Sequence, residues 1–223
     1  MHWSLMVFVN TQELQAAFRD PKSPYYIPPG TQGPEAEDSP SHTYGFRAAA
    51  LHNTSSPDPF IKAKEALRKE GFDPLSFWAQ PIVWGDHDAF QHVNNVRYVR
   101  FFESARIKWM TSLGNELGGL EKAQSMLKAQ GISLIIKSIE VKFRRPVTYP
   151  DTLLIGYKPV PPPPEGSPDN ATFEVKASAY SIAQEAFVAH SKEALVWYDY
   201  DSLRKCDPGD QARAVVFARA KAE

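Results

Sequence analysis

Between Trp84 and Tyr98 the chain reads WGDHDAFQHVNNVRY, which gathers Asp86, His87, Asp88, His92, Asn94 and Asn95 just ahead of an apolar, helix-like run, VRFFESARIKWMTSLG. Carboxylates and imidazoles can ligate a metal, move protons or attack a carbonyl, and asparagines can cap a helix. The residue types alone leave these three chemistries open. A metal site fits poorly. If Asp86, His87 and Asp88 are on a strand, the two carboxylates face one side and the imidazole the other. The chain's single cysteine, Cys206, also excludes a thiolate-rich site. As a helix start, the cluster offers Asn94 as N-cap. The third chemistry uses the helix start. Free backbone N–H groups and the positive dipole end there can polarise a carbonyl and stabilise an oxyanion, while a neighbouring carboxylate attacks or deprotonates water. An acyl thioester suits such a site, because a thiol leaves readily and asks little of a general acid.

Several elements must position that cluster. Residues 20 to 59 are rich in Pro, Gly, Ser and Asp and read as an arm or linker. In SPDPFIKAKEALRKEGF, Asp58 can cap a short helix, Pro59 suits its first position and Gly71 its stop. Phe60, Ala63 and Leu67 would form its narrow apolar face. FWAQPIVWG has strand composition. After the cluster, Tyr98, Phe102, Ala105, Trp109 and Leu113 recur at helical spacing, with Val99, Phe101 and Met110 widening the apolar side. From Ile132 the period becomes two. In SLIIKSIEVKFRRP the apolar phase changes from Leu134 and Ile136 to Ile139, Val141 and Phe143, which predicts a β-bulge near Lys137 and Ser138. TLLIGYKPV, TFEVKASAYSI and FVAHSKEALVWYDY follow as strands, with PPPPEGSPDN as an exposed loop. The order is strand, long helix, then four mostly antiparallel strands, and it fits a sheet wrapped round one buried helix.

Composition narrows the function classes. The 223 residues are 43% hydrophobic, enough for a buried core. A formal net charge of −1 without a dense Lys/Arg block lacks the footprint of nucleic-acid binding. No run of about 18 apolar residues predicts a membrane span. The opening MHWSLMVFV has no basic flank, and the first 40 residues carry Arg19 and Lys22 against five acids. With a lone cysteine, this predicts a cytoplasmic protein, a mitochondrial one being left open.

GDHDAFQHVNNVRYVRFFESAR resembles the hotdog-fold thioesterases of the 4-hydroxybenzoyl-CoA thioesterase type, and QHVNNVRY is similar to the loop of plant acyl-ACP thioesterases. The resemblance runs from about Phe77 to Asp201 and takes in RRPVTYPDTL and VWYDYDS. It implies an α+β hotdog domain over 73–205, an N-terminal extension over 1–72 and a helical tail over 206–223. It implies acyl-CoA or acyl-ACP thioester hydrolysis, with Asp88 as nucleophile or general base. The backbone N–H at or next to Asn95 would polarise the carbonyl, and His92 would support the base. The plant-type loop has an asparagine where Phe90 stands here. Phe90 and Asn94 fall among the loop's expected substrate contacts. Tyr98 and Phe102 could line an acyl pocket, although aromatics at helical spacing are more often plain core, and Arg144 and Arg145 could meet CoA phosphates, although a solvated strand end explains them at least as well. Asp86 reads as structural, Glu103 as a surface partner of Arg100 and Arg106, and His190 as a strand residue without an identifiable partner. A homodimer or higher even oligomer is expected, and an acyl carrier protein is an optional further partner. No cofactor is expected beyond CoA as part of the substrate. A hotdog protein kept for acyl binding or assembly is the alternative, and a dehydratase ranks behind it because its motif would differ from HVNN.

Overall fold

The computed structural model describes residues 20–23, 26, 59–161 and 169–220. The chain divides into compact units over 1–55 and 56–223. In the first, the described residues form a turn in which the Ser23 N–H donates to the Asp20 carbonyl. The expected cap Asp58 and the rest of the expected arm lie outside the described residues, as does most of the proline-rich loop.

The second unit runs α1 (Pro59–Lys69), β1 (Asp73–Ile82), a 3-10 turn (Trp84–Asp86), α2 (Asn95–Leu127), β2 (Ile132–Phe143), β3 (Asp151–Pro159), β4 (Thr172–Ser181), β5 (Ala186–Asp199), β6 (Arg204–Lys205) and α3 (Asp210–Phe217). The strands form one antiparallel sheet in the order β1-β3-β4-β5-β2, with β6 added to β5. The long helix packs on its inner face, which is the hotdog arrangement. All five residues of the expected stripe, Tyr98, Phe102, Ala105, Trp109 and Leu113, are buried. They join Ile155, Tyr157, Val175, Leu195 and Trp197 of the sheet in one core, to which α3 adds Ala212 and Val216. On the outer face, Ala63 and Leu67 of α1 pack with Phe72, Phe77, Leu154 and Tyr180.

The β2–β5 register shifts between Ile136 and Ser138, where the change of apolar phase predicts a bulge. The same strand departs from the expected burial. Leu134 is buried, but Ile136 and Phe143 are exposed on this chain, and Val99 of α2 is too. The reason is position, because β2 ends the sheet order and, among the described residues, has a neighbour strand only on its β5 side. The helix also departs from a single rod. Gly119, at φ 69°, breaks its regularity, and the chain then returns so closely that a Cβ on Gly114 would lie 2.5 Å from the Ala123 Cα.

Arg106 overturns its expected surface pairing with Glu103. It shares the buried stripe with Phe102, Trp109 and Leu113 and turns inward, its Nη1 donating to Glu193 Oε2 at 2.8 Å. Glu193, on β5, is fully buried, and its other oxygen accepts from the Tyr157 hydroxyl at 2.6 Å and the Ser191 hydroxyl at 3.1 Å. Burial, then the Glu193 charge, holds the Tyr157 phenol well above its ordinary pKa, so it remains a donor. Burial alone would lower the pKa of Arg106, but Glu193 and then Tyr157 leave it raised. A second junction sits about one turn further along the stripe, at Trp109. Asp73 Oδ2 accepts from Trp109 Nε1 and from Arg219 Nη1, both at 3.1 Å, which ties β1, α2 and the residues after α3 together.

Removing one partner of such a pair strands a buried charge. Glu193→Ala is therefore expected to cost about 3–5 kcal/mol in chemical denaturation. The double variant Arg106→Met with Glu193→Leu is expected to recover most of that loss.

Candidate active site

The polar cluster is built as a small folded loop, not as a strand. Trp84–Asp86 forms the 3-10 turn, and Asp86 Oδ2 accepts the Val83 N–H at 3.0 Å. Asp86 Oδ1 also lies 3.7 Å from Arg97 Nε. The Tyr149 N–H donates to His87 Nε2 at 2.7 Å, so that nitrogen carries no proton there and the ring serves as an acceptor between two loops. The Asp88 and His92 backbones then close a turn. The Asp88 N–H donates to the His92 carbonyl at 3.1 Å and the Gln91 N–H to the Asp88 carbonyl at 3.0 Å, with Gln91 at φ 63°. The loop is anchored to the sheet connection by the Val93 N–H, which donates to the Val147 carbonyl at 2.8 Å. Asp86 and His87 thus face separate partners, and no group of three metal-ligating side chains occurs among the described residues.

The helix start follows the N-cap expectation. Asn94 Oδ1 accepts the Val96 N–H at 3.1 Å, and the Arg97 N–H donates to the Asn94 carbonyl. The Asn94 N–H is taken by the Asp86 carbonyl. The Asn95 N–H, the first of α2, has no acceptor among the described residues. It is the donor that a helix N-terminus leaves for a ligand.

A cavity of about 260 Å³ opens beside it, lined in part by His92, Asn95, Tyr98, Arg144 and Arg145. Five expected site residues therefore meet in one place. Phe143 and Val93 also line it, and sequence reasoning assigned neither to the site. The Phe143 ring packs edge-on against Tyr98, centroids 5.2 Å apart. Burial, then the charge of Asp151, pushes the Tyr98 phenol up to about 12. That keeps it neutral in the cavity wall.

The other expected residues stand apart. Phe102 is wholly buried in the core and does not reach the cavity. Phe90 is 81% exposed, its ring stacked 6.2 Å from that of His92. Asp88 does not line the cavity. Its Oδ1 accepts the Phe90 N–H at 2.9 Å and lies 4.0 Å from His92 Nδ1, and the carboxylate is 22% exposed. His92 borders both Asp88 and the cavity. Glu103, expected on the surface, is exposed. His190, expected to lack a partner, instead pairs through Nδ1 with the Ser178 hydroxyl at 2.7 Å, on the far side of the sheet.

The profile of the Thioesterase-like superfamily matches residues 82–216, more than half of the chain. The long-chain acyl-CoA thioesterase FadM of Escherichia coli (strain K12) is 38% identical over 76 residues, which are 33% of this chain and 50% of FadM. The chain thus spans about half the length of that curated relative. Among solved structures, the PA5185 protein from Pseudomonas aeruginosa strain PAO1 superposes with a TM-score of 0.54 at 19% identity, covering 69% of this chain and 96% of its own. A thioesterase complexed with coenzyme A and Zn from Thermus thermophilus gives 0.51 at 19% identity, covering 67% and 96%. At these identities the structural likeness is one of fold.

The cap fixes where α2 begins and hence where the free N–H points. Asn94→Ala is expected to cost about 1 kcal/mol of stability in thermal or chemical unfolding. Asn94→Asp, which keeps an acceptor, is expected to cost a smaller fraction of that.

Proposed function

The chain belongs to the Thioesterase-like superfamily, and we propose from that premise that it hydrolyses acyl-CoA or acyl-carrier-protein thioesters to a free acid and a thiol. The observation that carries this reading is the cavity at the α2 N-terminus, where an unengaged Asn95 N–H, His92 and two arginines meet beside Asp88. The thioester carbonyl accepts the Asn95 N–H, which gains most when negative charge develops on that oxygen. Asp88, partly exposed beside His92, acts as general base. It draws a proton from a water as the water oxygen bonds to the carbonyl carbon. The tetrahedral intermediate then collapses, the carbon–sulfur bond breaks, and the proton goes to the departing thiolate. Arg144 and Arg145 suit the phosphates carried by either coenzyme A or a carrier-protein arm.

A homodimer completes the reading. The free side of β2 presents Ile135, Ile136 and Phe143, and the start of α2 presents Val96 and Val99, all exposed on the single chain. A second copy burying these residues closes the sheet edge and walls the cavity. The lone cysteine, partly buried against the core, fits a reducing compartment such as the cytoplasm.

Incubation with a panel of acyl-CoAs and a thiol-detecting reagent tests the activity. Thiol release is expected for at least one acyl chain, and none from any acyl-CoA or acyl-carrier protein would leave an acyl-binding or assembly protein. Asp88→Asn keeps the shape but removes the base, and is expected to lower kcat by about two orders of magnitude or more. His92→Ala is expected to cost less, and the double variant well short of the product of both, as for groups acting as one unit. Light scattering is expected to report twice the 25.0 kDa chain mass, or a higher even multiple.

A further inference from the structure

Apart from the cavity at the helix start, a groove of about 540 Å³ lies on the outer face of the sheet. Its floor carries a row of charge. Lys158 on β3 is paired in register with Lys176 on β4, Lys176 with Lys192 on β5, and Lys192 with Glu140 on β2. Residues so paired lie on the same face and nearly touch, and like charges placed directly opposite are unfavourable. The next row on that face runs Ser178, His190, Lys142. Carboxylates answer only part of this charge. Lys192 pairs with Glu174 at 2.8 Å and Lys142 with Glu140 at 3.3 Å. The Lys158 ammonium donates to the Glu70 backbone carbonyl at 2.6 Å and lies over the Phe72 ring. Lys176 has no ion pair among the described residues. Four lysines line the groove against Glu70 and Glu140.

The groove's polar floor also favours an acceptor-rich guest. When the Ser178 hydroxyl donates to His190 Nδ1, the ring's other nitrogen carries the hydrogen and is a donor. Burial, then the charge of Arg144, holds the His190 pKa below its ordinary value, with Glu70 opposing, so the ring stays neutral near pH 7. Phe187, whose ring lies 5.8 Å from that of His190, gives the groove an apolar wall. A row of lysines set against one another, a neutral donor and an aromatic flank form one concave site that a compact polyanion would relieve of its repulsion.

We propose that this outer-face groove binds a small molecule carrying adjacent phosphates, of the nucleoside di- or triphosphate kind, through Lys158, Lys176 and Lys192 with His190 as neutral donor. The ligand is either a free nucleotide or the nucleotide end of a coenzyme A ester, and only the second source rests on the thioesterase reading. Lys176 is the decisive residue, because it faces both other lysines of the row.

Titration calorimetry with pyrophosphate, ADP and coenzyme A tests the site without turnover. ADP or coenzyme A is expected to bind in a salt-sensitive manner, and Lys176→Glu to weaken binding by about tenfold or more. Lys205→Glu, which makes the same change of net charge outside the groove, is expected to leave binding intact. The ligand-free melting temperature of Lys176→Glu is expected to equal or exceed that of the parent, since the substitution turns two repulsive neighbours into attractive ones. This separates loss of a site from loss of fold. If Lys176→Glu raises KM for an acyl-CoA but not for the corresponding acyl-pantetheine, the bound phosphates belong to coenzyme A. An unchanged KM together with ADP binding assigns a free nucleotide. Failure of all three probes to bind at millimolar concentration, or equal binding by parent and Lys176→Glu, overturns the proposal. Thiol release by the parent protein in that case leaves the thioesterase reading standing.

Discussion

The position of α2 depends on one buried ion pair. An apolar stripe such as Tyr98, Phe102, Ala105, Trp109 and Leu113 makes burial favourable, but it is tolerant of sliding and rotation because hydrophobic contact is non-directional. The Arg106–Glu193 pair is not tolerant. A shift of one helical turn, about 5.4 Å, would separate guanidinium from carboxylate inside the core and leave both without a partner. Tyr157 and Ser191 take the remaining acceptor capacity of Glu193. The carboxylate is therefore satisfied in only one arrangement. Asn95 lies eleven residues before Arg106, about 16 Å along a straight helix, so fixing the arginine also fixes where the free N–H emerges. The precision of the candidate site is thus set in the middle of the molecule.

At the helix start, the same requirement for satisfied polar groups shapes the loop. Asp86 and His87 are used up in holding it, by Val83, Arg97 and Tyr149. Asn94 is used up in capping. What remains for the proposed chemistry is the part of the cluster with fewer structural duties: the exposed side of Asp88, His92 and the Asn95 N–H. This division explains why so many polar residues occupy so short a stretch. A catalytic constellation at a helix N-terminus needs supporting hydrogen bonds at least as numerous as its reacting groups.

Local pattern made a good part of this legible. The buried stripe of α2, the Asn94 cap and the bulge beside Ser138 each follow from a short-range rule, namely helical period, capping chemistry and a change of strand phase. What stayed hidden depends on partners far along the chain. Arg106 reads as a surface partner for Glu103 until β5 brings Glu193 opposite it, 87 positions later. One signal was present, a lone arginine on an otherwise apolar stripe matched by a lone glutamate among inward-facing strand residues. His190 finds Ser178 only through the β4–β5 register. Phe102 and Tyr98 share a helical face, yet one is sealed in the core and the other borders a cavity, because the sheet covers the deeper turn and leaves the first turn open. Phe143 belongs to the apolar alternation of β2, but an edge strand has no neighbour to complete the burial that alternation promises.

The strands that border the site also connect it to the opposite face. On β2, side chains alternate, so Lys142 falls to the side of His190 while Phe143 packs on Tyr98 at the cavity, and Arg144 follows the strand's end. The Arg144 and Arg145 N–H groups both donate to the Val188 carbonyl, which pins the end of β2 to β5 where the two faces come closest. Arg144 belongs to both environments. It lines the cavity at the α2 start, and its charge lowers the pKa of His190 in the outer groove. A sheet wrapped round a helix has little interior to spare, since Trp109, Tyr157, Phe173 and Trp197 fill it in a chain of ring contacts. Concave space is therefore left mainly at its margins. One margin lies at the helix N-terminus, where the Asn95 N–H is left without an acceptor among the described residues. Another lies on the outer face, where charged residues occupy paired positions on β3, β4 and β5. The different chemistries of these cavities reflect which residues the register and the helix start place at each.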